Sequence, residues 1–311
     1  MYLGIDIGSV SIKYAIIDKN LKVLESGYFR TKGDVINSLK NLLKQLKTKK
    51  IQGIGTTGSA RKLVKELVSA DIDVDEITAH RTAVKALYPE VKTIFEIGGQ
   101  DSKLIVIDEN SINFEMNNVC AAGTGSFLDQ QASRLGMPIE EFCKTGLSAE
   151  KRYKIASKCT VFAETDMIHA QQTGIPIPMI IRGIHKGLID NYFSQLCRDK
   201  RLSGKFLFEG GASENPVLID EFANKLLKEG LIASKDELIV PNPHNKVMGA
   251  IGAAIFCRNK KIDNTRAVPK INNFEFLDYA SCNACHHKCG ADIARIKVND
   301  KIITTGKQCQ T

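Results

Sequence analysis

One feature constrains the fold of this chain more than any other: a segment near its start recurs further on without gaps. GIDIGSVSIKYAIID (Gly4–Asp18) aligns on IFEIGGQDSKLIVID (Ile94–Asp108) at a constant offset of 90. Asp6 then meets Glu96, Gly8 meets Gly98, Lys13 meets Lys103 and Asp18 meets Asp108. Each copy reads as an apolar strand ending in a carboxylate, a glycine turn and a second apolar strand, which is a β-hairpin with an acid at its mouth. Paired acid, glycine and lysine argue for duplication of a structural unit.

Further strands and then helices follow each hairpin. In the first half, LKVLESGYFRT (21–31) alternates as a strand, a helix is predicted near 34–47, IQGIGTTG (51–58) reads as a strand, and a helix runs from Ser59 to Val68. In the second half, SINFEMN (111–117) is a strand and helices are predicted at 124–135, 160–172 and 177–197. KFLFEGG (205–211) is a strand ending in a glycine pair, and NKVMGAIGAAIF (245–256) is a small-residue helix. Mixed sheets flanked by helices, twice over, define an α/β protein with a cleft between its halves. The expected division is 1–92, completed by the helix at about 245–258, then 93–244, then a linker and appendage over 259–311.

Composition narrows the function classes. Hydrophobic residues make up 43% and charged residues 25%, the balance of a soluble globular protein. No apolar run approaches the roughly 18 residues needed to cross a bilayer, and MYLGIDIG lacks the features of a signal peptide. A cytoplasmic location without membrane association is the expectation. The net charge of +8 is densest in KQLKTKK (44–50), which ends an amphipathic stretch and reads as a solvated helix end. Tryptophan is absent and no aromatic–basic clusters occur, so nucleic acid is a poor partner. Nine cysteines in such a chain argue for metal or redox chemistry rather than disulfides.

Two acid-and-glycine hairpins facing each other can hold a triphosphate. Glycines let turn amides donate to phosphate oxygens, while carboxylates hold Mg²⁺ directly or through water. FEGGASENP supplies another close-approach turn before a helix, with Glu214 and Asn215 in the first helical turn. The order resembles the actin, heat-shock-chaperone and sugar-kinase superfamily. GIDIGSVSIK is similar to its phosphate 1 motif, FEIGGQDSK to phosphate 2, and FEGGASENP to the adenosine motif, while AAGTGSFLD and NKVMGAIGAA are similar to its two connecting helices. The resemblance covers residues 1 to about 258. It implies an actin-like ATPase fold of two ribonuclease-H-like subdomains around a nucleotide cleft.

The motif matches imply that Asp6 and Glu96 serve Mg²⁺, with direct or water-mediated contact open for Glu96. Gln100 would orient the attacking water, as amides do in other phosphoryl-transfer sites. ATP and its metal would meet Gly8, Ser9, Ser11 and Lys13 of the first hairpin and Gly98, Gly99, Asp101 and Lys103 of the second. Gly123 and Gly125 of AAGTG, and Gly210, Gly211, Ala212 and Asn215 of the adenosine motif, complete the set.

Within that superfamily, NNVCAAGTGSFLD, EIGGQDSK and SKCTVFAE together closely resemble the ATP-dependent activators of 2-hydroxyacyl-CoA dehydratases. The ATPase subunits of benzoyl-CoA reductases belong to the same wider group. The resemblance implies a homodimer with one bridging [4Fe–4S] cluster, each subunit supplying Cys120 and Cys159. It further implies electron delivery to a 2-hydroxyacyl-CoA dehydratase-like or double-cluster reductase partner, with ferredoxin or flavodoxin as the donor. The residues make independent chemical sense, since both cysteines precede predicted helix starts, where thiolates and anionic clusters are favoured. Cys143, Cys197 and Cys257 lie in apolar helical settings and read as small buried hydrophobes. A small-molecule kinase with Asp101 as its catalytic carboxylate, and a nucleotide-gated scaffold, are the competing readings.

The tail is different in character. RNKKIDNTRAVPKINN (258–273) is polar and turn-rich, so a linker is expected. Beyond it come Cys282, Cys285 and Cys289, then two strands, ADIARIKV (291–298) and KIITTG (301–306), then Cys309. Four gathered thiolates suit a second iron–sulfur cluster or a zinc ion, with His286 and His287 as substitute ligands. So small an appendage would need a metal to fold, and ending the chain at Asn259 is expected to leave ATPase activity intact. TGKQCQT has the look of a cut through a longer polypeptide.

Overall fold

The computed structural model describes residues 1–108, 112–117, 123–156, 159–271, 273–281, 292–299 and 301–306. The chain forms two compact units: Met1–Glu76 with Ala253–Thr311, and Ile77–Gly252.

The first unit is built on β1 (Tyr2–Ile7), β2 (Ser11–Ile17), β3 (Val23–Arg30), β4 (Lys50–Ile51), β5 (Gly53–Thr57) and β6 (Ile72–Asp73). Its main sheet has the order β3-β2-β1-β5-β6. The β1–β2 and β2–β3 pairs are antiparallel, while β1–β5 and β5–β6 are parallel. Every position of β1 is buried, and every position of β2 but Lys13. Such near-continuous apolar runs belong to strands covered on both faces. Helices α1 (Val35–Gln45) and α2 (Arg61–Leu67) pack on this sheet. Asp34 caps α1 by accepting from the Asn37 amide at 3.0 Å. The helix buries Leu39, Leu42 and Leu43 and leaves Lys44 and Lys47 in solvent, so the basic run is a solvated helix end.

The second unit takes in α3 (Glu76–Leu87), β7 (Val91–Ile97), β8 (Ser102–Ile107), β9 (Ile112–Met116), α4 (Gly125–Arg134), α5 (Ile139–Leu147), α6 (Thr160–Gln172) and α7 (Ile177–Tyr192). It continues through β10 (Lys205–Glu209), α8 (Pro216–Lys228), β11 (Leu238–Ile239) and the first turns of α9 (Met248–Asn259). Its sheet has the order β11-β10-β7-β8-β9. Read from β9, the pairings are antiparallel, antiparallel, parallel and parallel, the same sequence of pairings as in the first unit. The duplication inferred from one hairpin therefore extends over five strands. A rich aromatic core fills this unit, with the Phe95 and Phe222 ring centroids 4.7 Å apart and those of Phe208 and Phe222 4.9 Å apart.

The tail corrects the sequence expectation. The polar stretch after α9 is stitched to the first unit: β12 (Arg266–Ala267) pairs with β4, and Arg266 bridges the half-buried Asp71 carboxylate at 2.8 Å. β13 (Phe274–Ser281), β14 (Asp292–Val298) and β15 (Lys301–Gly306) form an antiparallel sheet. Val268, Ile271, Ile296, Val298 and Ile303 are buried in the same cluster as Leu3, Ile5, Leu39 and Leu43. The described tail thus shares the core of the first unit instead of having a core of its own. Cys282, Cys285, Cys289 and Cys309, with His286 and His287, lie outside the described residues. No described helix is long and apolar enough to cross a membrane.

Candidate functional site

In the first unit the β1–β2 turn closes through Gly8, whose amide donates to the Ser11 carbonyl at 3.0 Å. Asp6, 5% exposed, sits at the end of β1 opposite Lys13, and the Lys13 ammonium lies 3.0 Å from its carboxylate. Ser9 is exposed at the turn and Ser11 is buried at the head of β2. The next strand along, β5, places Thr57 beside Asp6 in parallel register and ends at Gly58. Gly58 has φ +95°, and a Cβ there would lie 2.2 Å from the Ile7 carbonyl and 2.7 Å from the Asp6 carboxylate. Only glycine fits that backbone approach.

The second unit repeats the arrangement. The Gly98 amide donates to the Asp101 carbonyl at 2.9 Å, closing a turn that carries Gly99 and an exposed Gln100. Glu96, 5% exposed, pairs in register with Lys103. The Lys103 ammonium, 2% exposed, donates to Glu96 at 3.2 Å and to Asp101 at 3.0 Å. A lysine so deeply buried requires such carboxylate partners. Neighbouring strand β10 places Glu209 beside Glu96 and ends at Gly210, φ +100°. A Cβ at Gly210 would lie 2.5 Å from the Ile97 carbonyl and 2.8 Å from Glu96 Oε1. The correspondence continues two residues on, where the Ala60 amide donates to Ile7 and the Ala212 amide donates to Ile97, at 3.3 and 3.1 Å.

The adenosine-type turn is held by its own network. The Gly210 amide donates to the Asn245 carbonyl at 2.9 Å, the Asn245 amide group donates to Ser213 Oγ at 2.9 Å, and Ser213 Oγ donates to the Gly210 carbonyl at 2.7 Å. Gly211 and Ala212 are half-buried on the turn. Asn215 is the N-cap of α8 rather than part of its first turn, and accepts from the Val217 and Leu218 amides at 3.0 and 3.3 Å. Its Nδ2 meets His185 Nε2 at 2.8 Å, while His185 Nδ1 faces the Ile181 carbonyl at 2.8 Å. Burial pushes His185 down to about 4, so a neutral ring donates to Ile181 and accepts from Asn215.

The phosphate 2-type turn is fastened to α4. The Gly125 amide donates to the Gly98 carbonyl at 2.9 Å and the Ser126 amide to the Gly99 carbonyl at 2.8 Å. Gly123 receives the Ser102 hydroxyl on its carbonyl at 2.6 Å. The last turn of α4 reaches α6 through an Arg134–Glu164 ion pair at 2.8 Å. Helix α6 begins at Cys159, its N-cap in extended conformation, which is half-buried. Asp166, in the second turn of α6, accepts from the Ala156 amide at 2.7 Å. Val161 and Phe162, just after it, are 66% and 65% exposed, and Ile168 is 41% exposed. Cys120 lies outside the described residues. Burial pushes the Cys143 thiol up to about 11 and those of Cys197 and Cys257 up to about 12, so all three stay protonated spectators.

Two functional-looking residues escaped the sequence reading. Glu209 is wholly buried, with Oε1 2.7 Å from His80 Nδ1. Burial opposes a charge on His80, yet the Glu209 carboxylate outweighs it by charge and hydrogen bond and lifts the histidine to about 9. His80 is therefore an imidazolium at neutral pH. Among the described residues, no three His, Cys, Asp or Glu side chains are arranged to hold a metal ion unaided. Magnesium that arrives with a nucleotide keeps phosphate and water ligands and needs no such cage.

The family described as the BadF/BadG/BcrA/BcrD ATPase family matches this chain over residues 3–257. The chain is 31% identical to the (R)-2-hydroxyglutaryl-CoA dehydratase activating ATPase of Acidaminococcus fermentans over 265 residues, 83% of this chain and 97% of that one. The crystal structure of component A of the (R)-2-hydroxyglutaryl-CoA dehydratase from that organism superposes with a TM-score of 0.74 at 28% identity, covering 83% of this chain and 98% of that one. The activator of the 2-hydroxyisocaproyl-CoA dehydratase from Clostridium difficile, solved with bound ADPNP, superposes with a TM-score of 0.72 at 29% identity, covering 86% of this chain and 100% of that one. These likenesses identify the actin-like ATPase fold.

Proposed function

We infer that this chain, which belongs to the BadF/BadG/BcrA/BcrD ATPase family, hydrolyses ATP to drive a low-potential electron into a partner dehydratase or reductase. The partner acts on CoA thioesters or a similar substrate, because the relatives are named as activators of such dehydratases. A single observation carries the reading beyond ATP hydrolysis: a partly exposed cysteine, Cys159, caps α6, and α6 is tied through α4 to the phosphate 2-type turn. The partial positive charge of a helix N-terminus suits a bound anionic cluster there. When bound, a [4Fe–4S] cluster supplies a one-electron centre held by Cys159 and Cys120. Two thiolates per chain call for a homodimer to complete four, and the exposed Val161, Phe162 and Ile168 give α6 an apolar surface suited to a second copy. Ferredoxin or flavodoxin is the class of donor that would reload it.

On the nucleotide side, the glycine turns at Gly8 and at Gly98–Gly99 bring backbone to phosphate, Asp6 and Glu96 serve Mg²⁺, and Gln100 orients the attacking water. A change at the phosphate passes from Gly98 and Gly99 into α4, because their carbonyls hold its first amides. Arg134 and Glu164 carry it on to the helix that Cys159 caps.

The test uses protein reconstituted anaerobically, with Cys282, Cys285, Cys289 and Cys309 replaced by serine. Cys120→Ser and Cys159→Ser should each abolish the visible absorbance, iron and sulfide while leaving ADP affinity unchanged. Full iron and sulfide content in the double variant would refute the assignment.

A further inference from the structure

We propose that Glu209 is a further binding residue for the nucleotide's magnesium, accepting from its hydration shell beside Glu96, and that His80 is the positioning residue that holds it there. The inference rests on the nucleotide-binding reading above and deepens it. Four observations carry it. Glu209 is wholly buried, His80 occupies its Oε1, and its Oε2 has no hydrogen-bond partner among the described residues. A buried carboxylate oxygen without a donor is costly, so it calls for a donor from water or a ligand. Glu209 and Glu96 are register partners in a parallel pair, so their side chains share one face of the sheet about 5 Å apart. Next to them Gly210, at φ +100°, packs its backbone so closely that a Cβ would lie 2.5 Å from the Ile97 carbonyl and 2.8 Å from Glu96 Oε1, so no side chain can stand there beside the two carboxylates.

The fourth observation comes from the duplication. Thr57 stands at the matching position of the first unit, as register partner of Asp6 and just before Gly58. Thr57 is 1% exposed, and its Oγ1 likewise has no hydrogen-bond partner among the described residues. Two halves with different side chains at this position share the same unmet oxygen beside the same kind of carboxylate. A local packing accident would not repeat in both.

The charges around Glu209 are consistent with a cation-hydrate site. His80 from α3 and Lys103 from β8 are the cations, Glu96 from β7 and Glu209 from β10 the anions, and Tyr88 lies within range of Glu209. Asp101, which also accepts from Lys103, adds a third carboxylate, so the two cations leave one negative charge unbalanced within the unit. Metal-bound water, a strong donor, fits the remaining oxygen without adding net negative charge.

Calorimetric titration of ADP into the 311-residue chain, with and without Mg²⁺, tests the proposal by a readout independent of turnover. Magnesium should strengthen ADP binding to the wild type. Glu209→Gln should lose about tenfold of that enhancement and leave metal-free ADP affinity unchanged. His80→Leu should lose it similarly, whereas His80→Gln, whose amide can still donate to Glu209, should keep most of it. The double variant His80→Gln/Glu209→Gln replaces the ion pair by a neutral hydrogen bond and secures a folded comparison should Glu209→Gln melt early. Full magnesium enhancement in Glu209→Gln, or an equal loss with and without the metal, would overturn the role. A wild type whose ADP binding ignores magnesium would overturn the metal role, and one that binds no ADP would overturn the nucleotide reading itself.

Discussion

Ending the chain at Asn259 is expected to abolish cooperative folding of the first unit and nucleotide binding with it. The cut removes Val268, Ile271, Ile296, Val298 and Ile303, each at most 7% exposed, from the cluster that also holds Leu3, Ile5 and Leu39. Burying such a side chain stabilises by about 1.5–3 kcal/mol, so the five contribute on the order of 10 kcal/mol before strand pairing is counted. A folded domain has only about 5–15 kcal/mol in all. The cut also leaves the half-buried Asp71 without Arg266. Thermal melting followed by circular dichroism, together with ADP titration, gives the answer. A truncated chain that melts cooperatively near the full-length midpoint and binds ADP as tightly would show that the tail is dispensable.

Gln100→Ala should lower ATP turnover by about 10²-fold while leaving ATP affinity nearly unchanged. Its side chain is exposed at the tip of the Gly98–Asp101 turn, so its loss removes no core contact. The turn is closed by the Gly98 amide and pinned to α4 by backbone bonds, none of which involves the Gln100 side chain. An amide that orients water acts only as the phosphoryl group transfers, so its removal appears in kcat and not in binding. Single-turnover hydrolysis beside equilibrium ATP binding separates the two. Weakened binding with unchanged turnover would make Gln100 an ordinary ground-state contact.

Much of the nucleotide half was legible because it is written in residue patterns. The hairpins show period-2 apolar runs, paired acids and paired glycines, and the register does set Asp6 on Lys13 and Glu96 on Lys103. The second stage of the duplication was not legible. TTGSA and FEGGA share only a glycine and an alanine, and what they have in common is a positive-φ turn packed on a neighbouring carbonyl. His80 was hidden because the other residues α3 buries are small, Ala79, Ala83 and Val84, which leaves no strong apolar stripe. Its partner Glu209 is adjacent to Glu96 only through a parallel pairing between strands more than a hundred positions apart. The tail misled for the opposite reason, its few core residues being spread thinly among lysines, asparagines and aspartates.

The central claim is that two copies of this chain share one redox centre gated by ATP. Iron, sulfide and mass should be measured together on anaerobically reconstituted protein in which Cys282, Cys285, Cys289 and Cys309 are serine. The account predicts a dimer carrying about four iron and four sulfide per two chains, lost on Cys159→Ser. A monomer holding a whole cluster, or a dimer free of iron after reconstitution, would contradict it.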